Sequence, residues 1–405
     1  MPDEISGVKK KYKIRLDVDV NAILTGFGSA KAPTAAHHHL AKNYSSVLFL
    51  GPPRNDTLLE LMTHIFTEEE ADAAQHLPAF RPRTAAQVAR LRGRPPGEIA
   101  AVLDNLADNK HVIVAWGEPR KYTILPIVPG TFEMALVTTD LSNRNQWHKK
   151  FAELFEKVWD SGYISDYGGS GPPLVRYLPV PGAGEALNTA WPSDKLDLVL
   201  DPYDTFAVGH CQCRVAMALV GKGCGKPTDT CLTMGPAAEF MMERGLMRRV
   251  DRAEALAIKR NAEESGCVTW MMNGAHDRRG NVSCSCCGCC CHALRTINQF
   301  SAPSLFSRPR FKPHRDQAAC NTCGQCAAAC PMGAWKKTGD SMSYDENRCI
   351  GCGLCAVSCR PGAIEMRPAP GALRPEKDYG GLLLKNIPSF TAGVFKLWLK
   401  RTTGI

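Results

Sequence analysis

The residues that could do chemistry are cysteines, 19 of them in 405 residues, with none before Cys211 and none after Cys359. Eight follow a doubled spacing: Cys320-x-x-Cys323-x-x-Cys326-x-x-x-Cys330-Pro331, then Cys349-x-x-Cys352-x-x-Cys355-x-x-x-Cys359. A four-iron cube needs a thiolate at each of its irons. The two-residue gaps let one tight loop wrap three corners. Because the two halves repeat, the fourth cysteine of each crosses over to the other cluster. The expected sets are Cys320, Cys323, Cys326 and Cys359 for one [4Fe-4S] cluster, and Cys349, Cys352, Cys355 and Cys330 for the second. Two zinc knuckles would not need the repeated three-residue gap before the last cysteine. Gly324, Ala327, Ala328, Gly351, Gly353 and Ala356 are small enough for backbone N–H groups to approach the sulfurs, which tunes a cluster's potential. Two clusters in one compact unit can pass single electrons, and nothing in the motif carries a proton or an acyl group.

Eleven cysteines remain. One group is Cys211-x-Cys213-Arg214, Cys224, Lys226-Pro227 and Thr230-Cys231-Leu232; the other is Cys284-x-Cys286-Cys287-Gly288-Cys289-Cys290-Cys291, with Cys267 between them. Six cysteines in eight residues cannot form a packed core, because neighbours point in different directions. A further metal or cluster site built from both groups is expected, with zinc and metal-free redox-active thiols as the alternatives. Cys211, Cys213, Cys224 and Cys231 fall within 21 residues, enough for one tetrahedral set. The run from Cys284 to Cys291 offers a second set. There, at least one of Cys286/Cys287 and one of Cys289/Cys290/Cys291 should stay unliganded or bridge outward. Arg214 and Lys226 would offset the anionic thiolates. An additional iron–sulfur cluster within electron-exchange range of the ferredoxin-type pair is the expected arrangement, since Cys291 and Cys320 are fewer than 30 residues apart. Position 288 is glycine, so no Cys-x-x-Cys-His occurs and covalent haem is excluded. The odd count and tight spacing argue against a disulfide framework. Free thiolates imply a reducing, cytoplasmic and oxygen-poor setting.

The elements that must position these thiols suggest an α+β chain. The expected parts are a winged-helix-like domain at 57–128, a mixed α/β cysteine-rich central domain at 129–300 and a dicluster ferredoxin-like domain at 313–367. An extension (1–56) and a tail (368–405) flank them. Apolar residues at 44% and charged residues at 22% are ordinary globular usage. Helices are predicted at Thr57–Ile65, from Thr67 through its three following glutamates, at Thr84–Leu91, Gly97–Asn109 and Trp147–Trp159. Strands are predicted at Tyr12–Val18, His111–Trp116 and Tyr122–Val128. His37-His38-His39 reads as a solvated loop, and neither Gly162–Pro173 nor Gly221–Lys226 fits a nucleotide-binding glycine pattern. No secretory signal is expected from the first residues, which have no apolar run behind their charges, and no run of about 18 apolar residues occurs in the sequence. Ser389 can cap a helix with Phe390, Val394, Leu397 and Trp398 on one face and Lys396, Lys400 and Arg401 on its polar side or end. That helix would dock on the protein itself, on a partner or on a membrane surface.

The stretch 313–367 resembles bacterial-type ferredoxins with two [4Fe-4S] clusters. It departs from them in that Arg360 separates Cys359 from Pro361, a change that bears on loop shape rather than on cluster binding. The helix–helix–helix–strand–turn–strand order over 57–128 resembles the winged-helix family, which implies packing or dimerisation, or DNA binding. The formal net charge is +9, yet residues 57–128 are essentially neutral. The expected recognition helix shows Glu98, Asp104, Asn105, Asp108 and Asn109, opposed only by Lys110, Arg90, Arg92 and Arg94, which speaks against DNA. From Thr57 to Arg367 the order of parts resembles multidomain iron–sulfur proteins of anaerobic bacteria and archaea. The expected role is an iron–sulfur electron-transfer protein, or the electron-entry subunit of an oxidoreductase, working with redox partner proteins. The rivals are a redox-sensing winged-helix transcription regulator and a thiol/disulfide-type reductase with a catalytic central cluster.

Overall fold

Local capping chemistry sets the first helices. Asn55 accepts from Leu58 N to start Asp56–Ile65, and Thr67 with Glu70 forms a reciprocal capping box that starts Glu68–Ala74. In this computed structural model the described residues run from 26 to 371, except 47–48, 79–80, 168–174, 182, 184–194, 274–279 and 302–307. Beyond 371 only scattered positions are described. The predicted strand at Tyr12–Val18, the glycine-rich stretch from 168 and the amphipathic face of the tail helix lie outside the described residues. The chain divides into two units, one made of the described part of Arg15–Tyr167 with Val215–Gly223, the other of Gly168–Arg214 with Cys224–Gly393.

In the first unit the order is helix Asp56–Ile65, helix Glu68–Ala74, strand β1 (Arg83–Thr84), helices Ala85–Arg92 and Pro96–Asp104, then strands β2 (Ile113–Trp116) and β3 (Lys121–Ile124). The sheet order is β1-β3-β2, all antiparallel. Leu58, Leu61, Met62 and Ile65 are buried as the helical period requires. Helix Gln146–Asp160, expected in the central part, belongs to this unit. Its four-residue ladder Trp147, Phe151, Phe155, Trp159 stacks along one face at centroid distances of 5.5, 6.5 and 6.2 Å. Trp147 also stacks on His64 and donates to its carbonyl at 3.2 Å, so the aromatic face is spent on helix Asp56–Ile65. The histidine triplet is not a loop. It lies in helix Ala35–Tyr44, with His37 buried between Thr34 and the Phe66 carbonyl and the other two exposed.

The second unit is built on β4 (Val175–Tyr177), β5 (Phe206–His210), β6 (Asp229–Met234), β7 (Arg248–Val250), β8 (Val268–Met272) and β9 (Asn281–Cys286). They form one antiparallel sheet in the order β4-β8-β9-β6-β5-β7. Helix Arg252–Glu264, capped by Asp251, and helix His292–Phe300 accompany it. The ferredoxin-like part adds β10 (Phe311–Arg315), β11 (Trp335–Thr338), β12 (Ser341–Tyr344) and β13 (Ile364–Pro368). β10 pairs with β13, from Phe311↔Pro368 to Arg315↔Ile364, and β11 with β12. The central and ferredoxin-like parts share one core. Val175, Val180, Leu294 and Ile297 pack in the same cluster as Phe311, Met332, Ile350, Leu354 and Met366. A backbone bond from Val180 N to Cys352 O at 2.8 Å crosses the same seam.

Candidate metal centres

Each half of the repeat places its cysteines by the same device. Gly324 and Gly353 follow the second cysteine of their motifs and adopt φ of +83° and +80°, a left-handed turn that a side chain would strain. Each turn launches a short helix, Gln325–Ala329 or Leu354–Val357, bearing the third cysteine. β10, before the first motif, pairs with β13, after the second, which brings Cys359 beside Cys320, and the β11–β12 hairpin returns the chain so that Cys330 faces Cys349.

Two pockets result. One, with about 280 Å³ of open space, is lined by Cys320, Cys323, Cys326 and Cys359 together with Met342 and Ile364. The second, about 320 Å³, is lined by Cys330, Cys349, Cys352 and Cys355 with Trp335, Tyr344 and Ile350. Each pocket thus takes three cysteines from one motif and the last from the other, in an apolar lining that offers four thiols and little else to bond. That donor set fits an iron–sulfur cube. Backbone N–H groups approach the sulfurs: Ala334 N to Cys330 Sγ and Gly351 N to Cys349 Sγ, both at 3.3 Å. Burial pushes the Cys352 thiol well above the usual range and Cys355 up to about 12, so these thiols hold their protons until a metal displaces them. The pockets differ in access. In the first, Cys323 is exposed, Cys320 and Cys359 are half-buried and Cys326 is buried; in the second, Cys330 and Cys349 are half-buried and Cys352 and Cys355 are buried.

The upstream thiols fall into two constellations, neither of which is simply one sequence group. Cys224 stands with Cys287, Cys289 and Cys290, all four Sγ atoms within 4.8 Å of one another. The thiols of Cys211 and Cys213 share a hydrogen bond, Cys213 does so with Cys291, and Cys231 with Cys284. Cys291 lies 3.2 Å from Cys286. The sheet explains this second grouping. β5 delivers Cys211 and Cys213 at its end, while Cys231 and Cys284 lie on the adjacent strands β6 and β9. A neighbouring thiol and burial push Cys211 well above the usual range, and burial takes the separate Cys267 up to about 11.

Arg214 is fully buried among these thiols. It donates to Ser285 O at 2.8 Å and to Thr230 Oγ1, and stands 3.8 Å from Cys267 Sγ and 3.9 Å from Cys287 Sγ. Lys226 instead turns its ammonium to the Ser265 carbonyl. The cation the spacing did not flag is Lys259, completely buried and donating to Cys284 O at 2.7 Å. Its signal was present: Ala255, Lys259 and Ala262 share the buried stripe of helix Arg252–Glu264, with small residues bracketing one long cation. Gly288 and Asn298 were also missed. Asn298 Nδ2 donates to both Gly288 O and Pro331 O at 3.1 Å, joining the cysteine-rich loop to the segment that follows Cys330.

Residues 312–335 and 342–365 match two family models, each described as a 4Fe-4S binding domain. No curated protein matches the chain, and no solved structure does. The chain is therefore similar, at its C-terminal cysteine motifs, to ferredoxin-type domains. It carries two [4Fe-4S] clusters and a cysteine-rich central segment, and an iron–sulfur electron-transfer role is supported. Among the described residues no helix is long and apolar enough to cross a membrane.

Proposed function

We propose that the protein is a one-electron relay in a larger redox system, with the two clusters in series and the one held by Cys320, Cys323, Cys326 and Cys359 facing the redox partner. The carrying observation is the unequal burial of two otherwise equivalent pockets. The partner reaches Cys323 from solvent, while the set Cys330, Cys349, Cys352 and Cys355 lies against the cysteine-rich part through Cys352 O and Pro331. The clusters supply the one-electron chemistry. The residues around them fix the thiols and place N–H dipoles at the sulfurs of Cys330 and Cys349.

The arrangement of helices and a three-stranded antiparallel sheet at 57–128 is used as a winged-helix-like packing or dimerisation module rather than a DNA reader. Three of its arginines are already paired: Arg92 to Asp72 at 2.5 Å, Arg94 to Glu69 and Glu98, and Arg120 to Asp104 and Asp108. Lys110, set by the sequence against the acidic residues of the expected recognition helix, is buried against Glu70 at 2.6 Å. Anaerobic titration with dithionite tests the relay. About two electrons per chain should enter the wild type, one per cluster, and about one should enter Cys352→Ser. Uptake unchanged in that variant would refute the relay.

A further inference from the structure

The relay uses none of the eleven upstream cysteines, and one of their two constellations has a geometry that defines what it can hold. Cys224 Sγ lies 3.9 Å from Cys287 Sγ, and Cys289 Sγ lies 3.8 Å from Cys290 Sγ. All four sulfurs are within 4.8 Å of one another. Thiolates about 2.3 Å from a single zinc ion in a tetrahedron stand about 3.8 Å apart. The thiolates of a four-iron cube sit on four different irons and stand farther apart. The sulfur separations therefore fit one ion and are too short for a cube.

We propose that Cys224, Cys287, Cys289 and Cys290 bind one zinc ion as a closed tetrathiolate site. Three ligands come from a single turn. Gly288 opens it, and Cys291 N closes it on Cys287 O at 3.2 Å, so Cys287, Cys289 and Cys290 can face one point although they are near neighbours in sequence. Cys224 completes the set from the loop after helix Gln212–Leu219. Loading the site releases the thiol protons to solvent and leaves a doubly negative centre. The buried Arg214 guanidinium, 3.9 Å from Cys287 Sγ, offsets part of that charge. Zinc suits a closed set with no open position and no redox duty. Its task is to hold the turn whose Gly288 lies against Pro331, immediately after Cys330. A Cβ at position 288 would stand 1.9 Å from the Pro331 carbonyl oxygen, so the turn must be held accurately.

The test uses the full-length chain, expressed with zinc supplied and purified without oxygen, and reads zinc content and the zinc-edge X-ray absorption separately from iron. The expected result is about one zinc per chain with a first shell of four sulfurs at about 2.3 Å. Cys224→Ala should lose the zinc while the ferredoxin-type iron stays. Cys289 is exposed, so Cys289→His spares the core. It should keep the zinc and change its shell to three sulfurs and one nitrogen, which decides the matter even if Cys224→Ala does not fold. Absence of zinc, iron in its place, or a zinc shell unmoved by Cys289→His would overturn the proposal. Because zinc and iron are counted independently, failure here leaves the relay untouched, and failure of the relay leaves this site standing.

Discussion

Replacing Gly288 by alanine asks how tightly the cysteine-rich turn is seated on the ferredoxin-type module. The added Cβ would meet Pro331 O at 1.9 Å and Asn298 Nδ2 at 3.1 Å. An ordinary nonbonded contact needs about 3.5 Å, so the turn must retreat by roughly 1.5 Å. Overpacking of this kind costs about 1–3 kcal/mol. The retreat also disturbs the bonds from Asn298 Nδ2 to Gly288 O and Pro331 O, each 3.1 Å long, at about 1 kcal/mol apiece. A loss of about 3–5 kcal/mol follows, which for a unit of this size lowers the unfolding midpoint by roughly 6–20 °C. Paramagnetic resonance of the reduced protein should show the cluster on Cys330 perturbed more than the cluster on Cys320. Gly97 is the matched control: nothing lies within 4 Å of its would-be Cβ, and Gly97→Ala should be neutral or stabilising by up to about 1 kcal/mol. If Gly288→Ala melts with the wild type and leaves both signals unchanged, the turn is not seated as described.

Lys110→Met should destabilise the first unit by about 3–5 kcal/mol, because Glu70 keeps a buried charge without its partner, while Lys110→Met with Glu70→Gln should recover part of the loss in chemical denaturation. The full chain should bind duplex DNA no better than micromolar, with a shallow salt dependence. Sub-micromolar binding with a steep salt slope would contradict the reading of the 57–128 module.

The ferredoxin-type part was legible because its chemistry is written in local spacing: two-residue gaps, a left-handed glycine after the second cysteine and an internal repeat. The helices of 57–128 were legible for a similar reason, since Thr67 with Glu70 and the period of Leu58, Leu61, Met62 and Ile65 are local signals. The upstream sites were not, because their partners are assigned by sheet order. Cys231 and Cys284 are 53 positions apart yet lie on neighbouring strands β6 and β9. Cys224, which sequence proximity places with Cys211 and Cys213, has Cys287, Cys289 and Cys290 as its thiol neighbours. Helix Gln146–Asp160 shows the same limit at the level of domains. Its aromatic face is plain in sequence, but which unit it would cover depends on His64, 83 residues away. Lys110 looked like a surface cation at the end of a polar helix and is instead bonded to Gly28 O, Ile65 O and Glu70.

The central claim is that each cube draws its fourth ligand from the other motif, and iron and acid-labile sulfide counted on two anaerobically purified variants test it most directly. The wild type should hold about eight irons in the module. Cys330→Ala and Cys359→Ala should each fall to about four, and the paramagnetic signal lost in Cys330→Ala should be the one lost in Cys352→Ser, with Cys359→Ala matching Cys320→Ser. If Cys330→Ala instead removes the same signal as Cys320→Ser, or if the module holds zinc without sulfide, the ligand assignment and the relay built on it are both wrong.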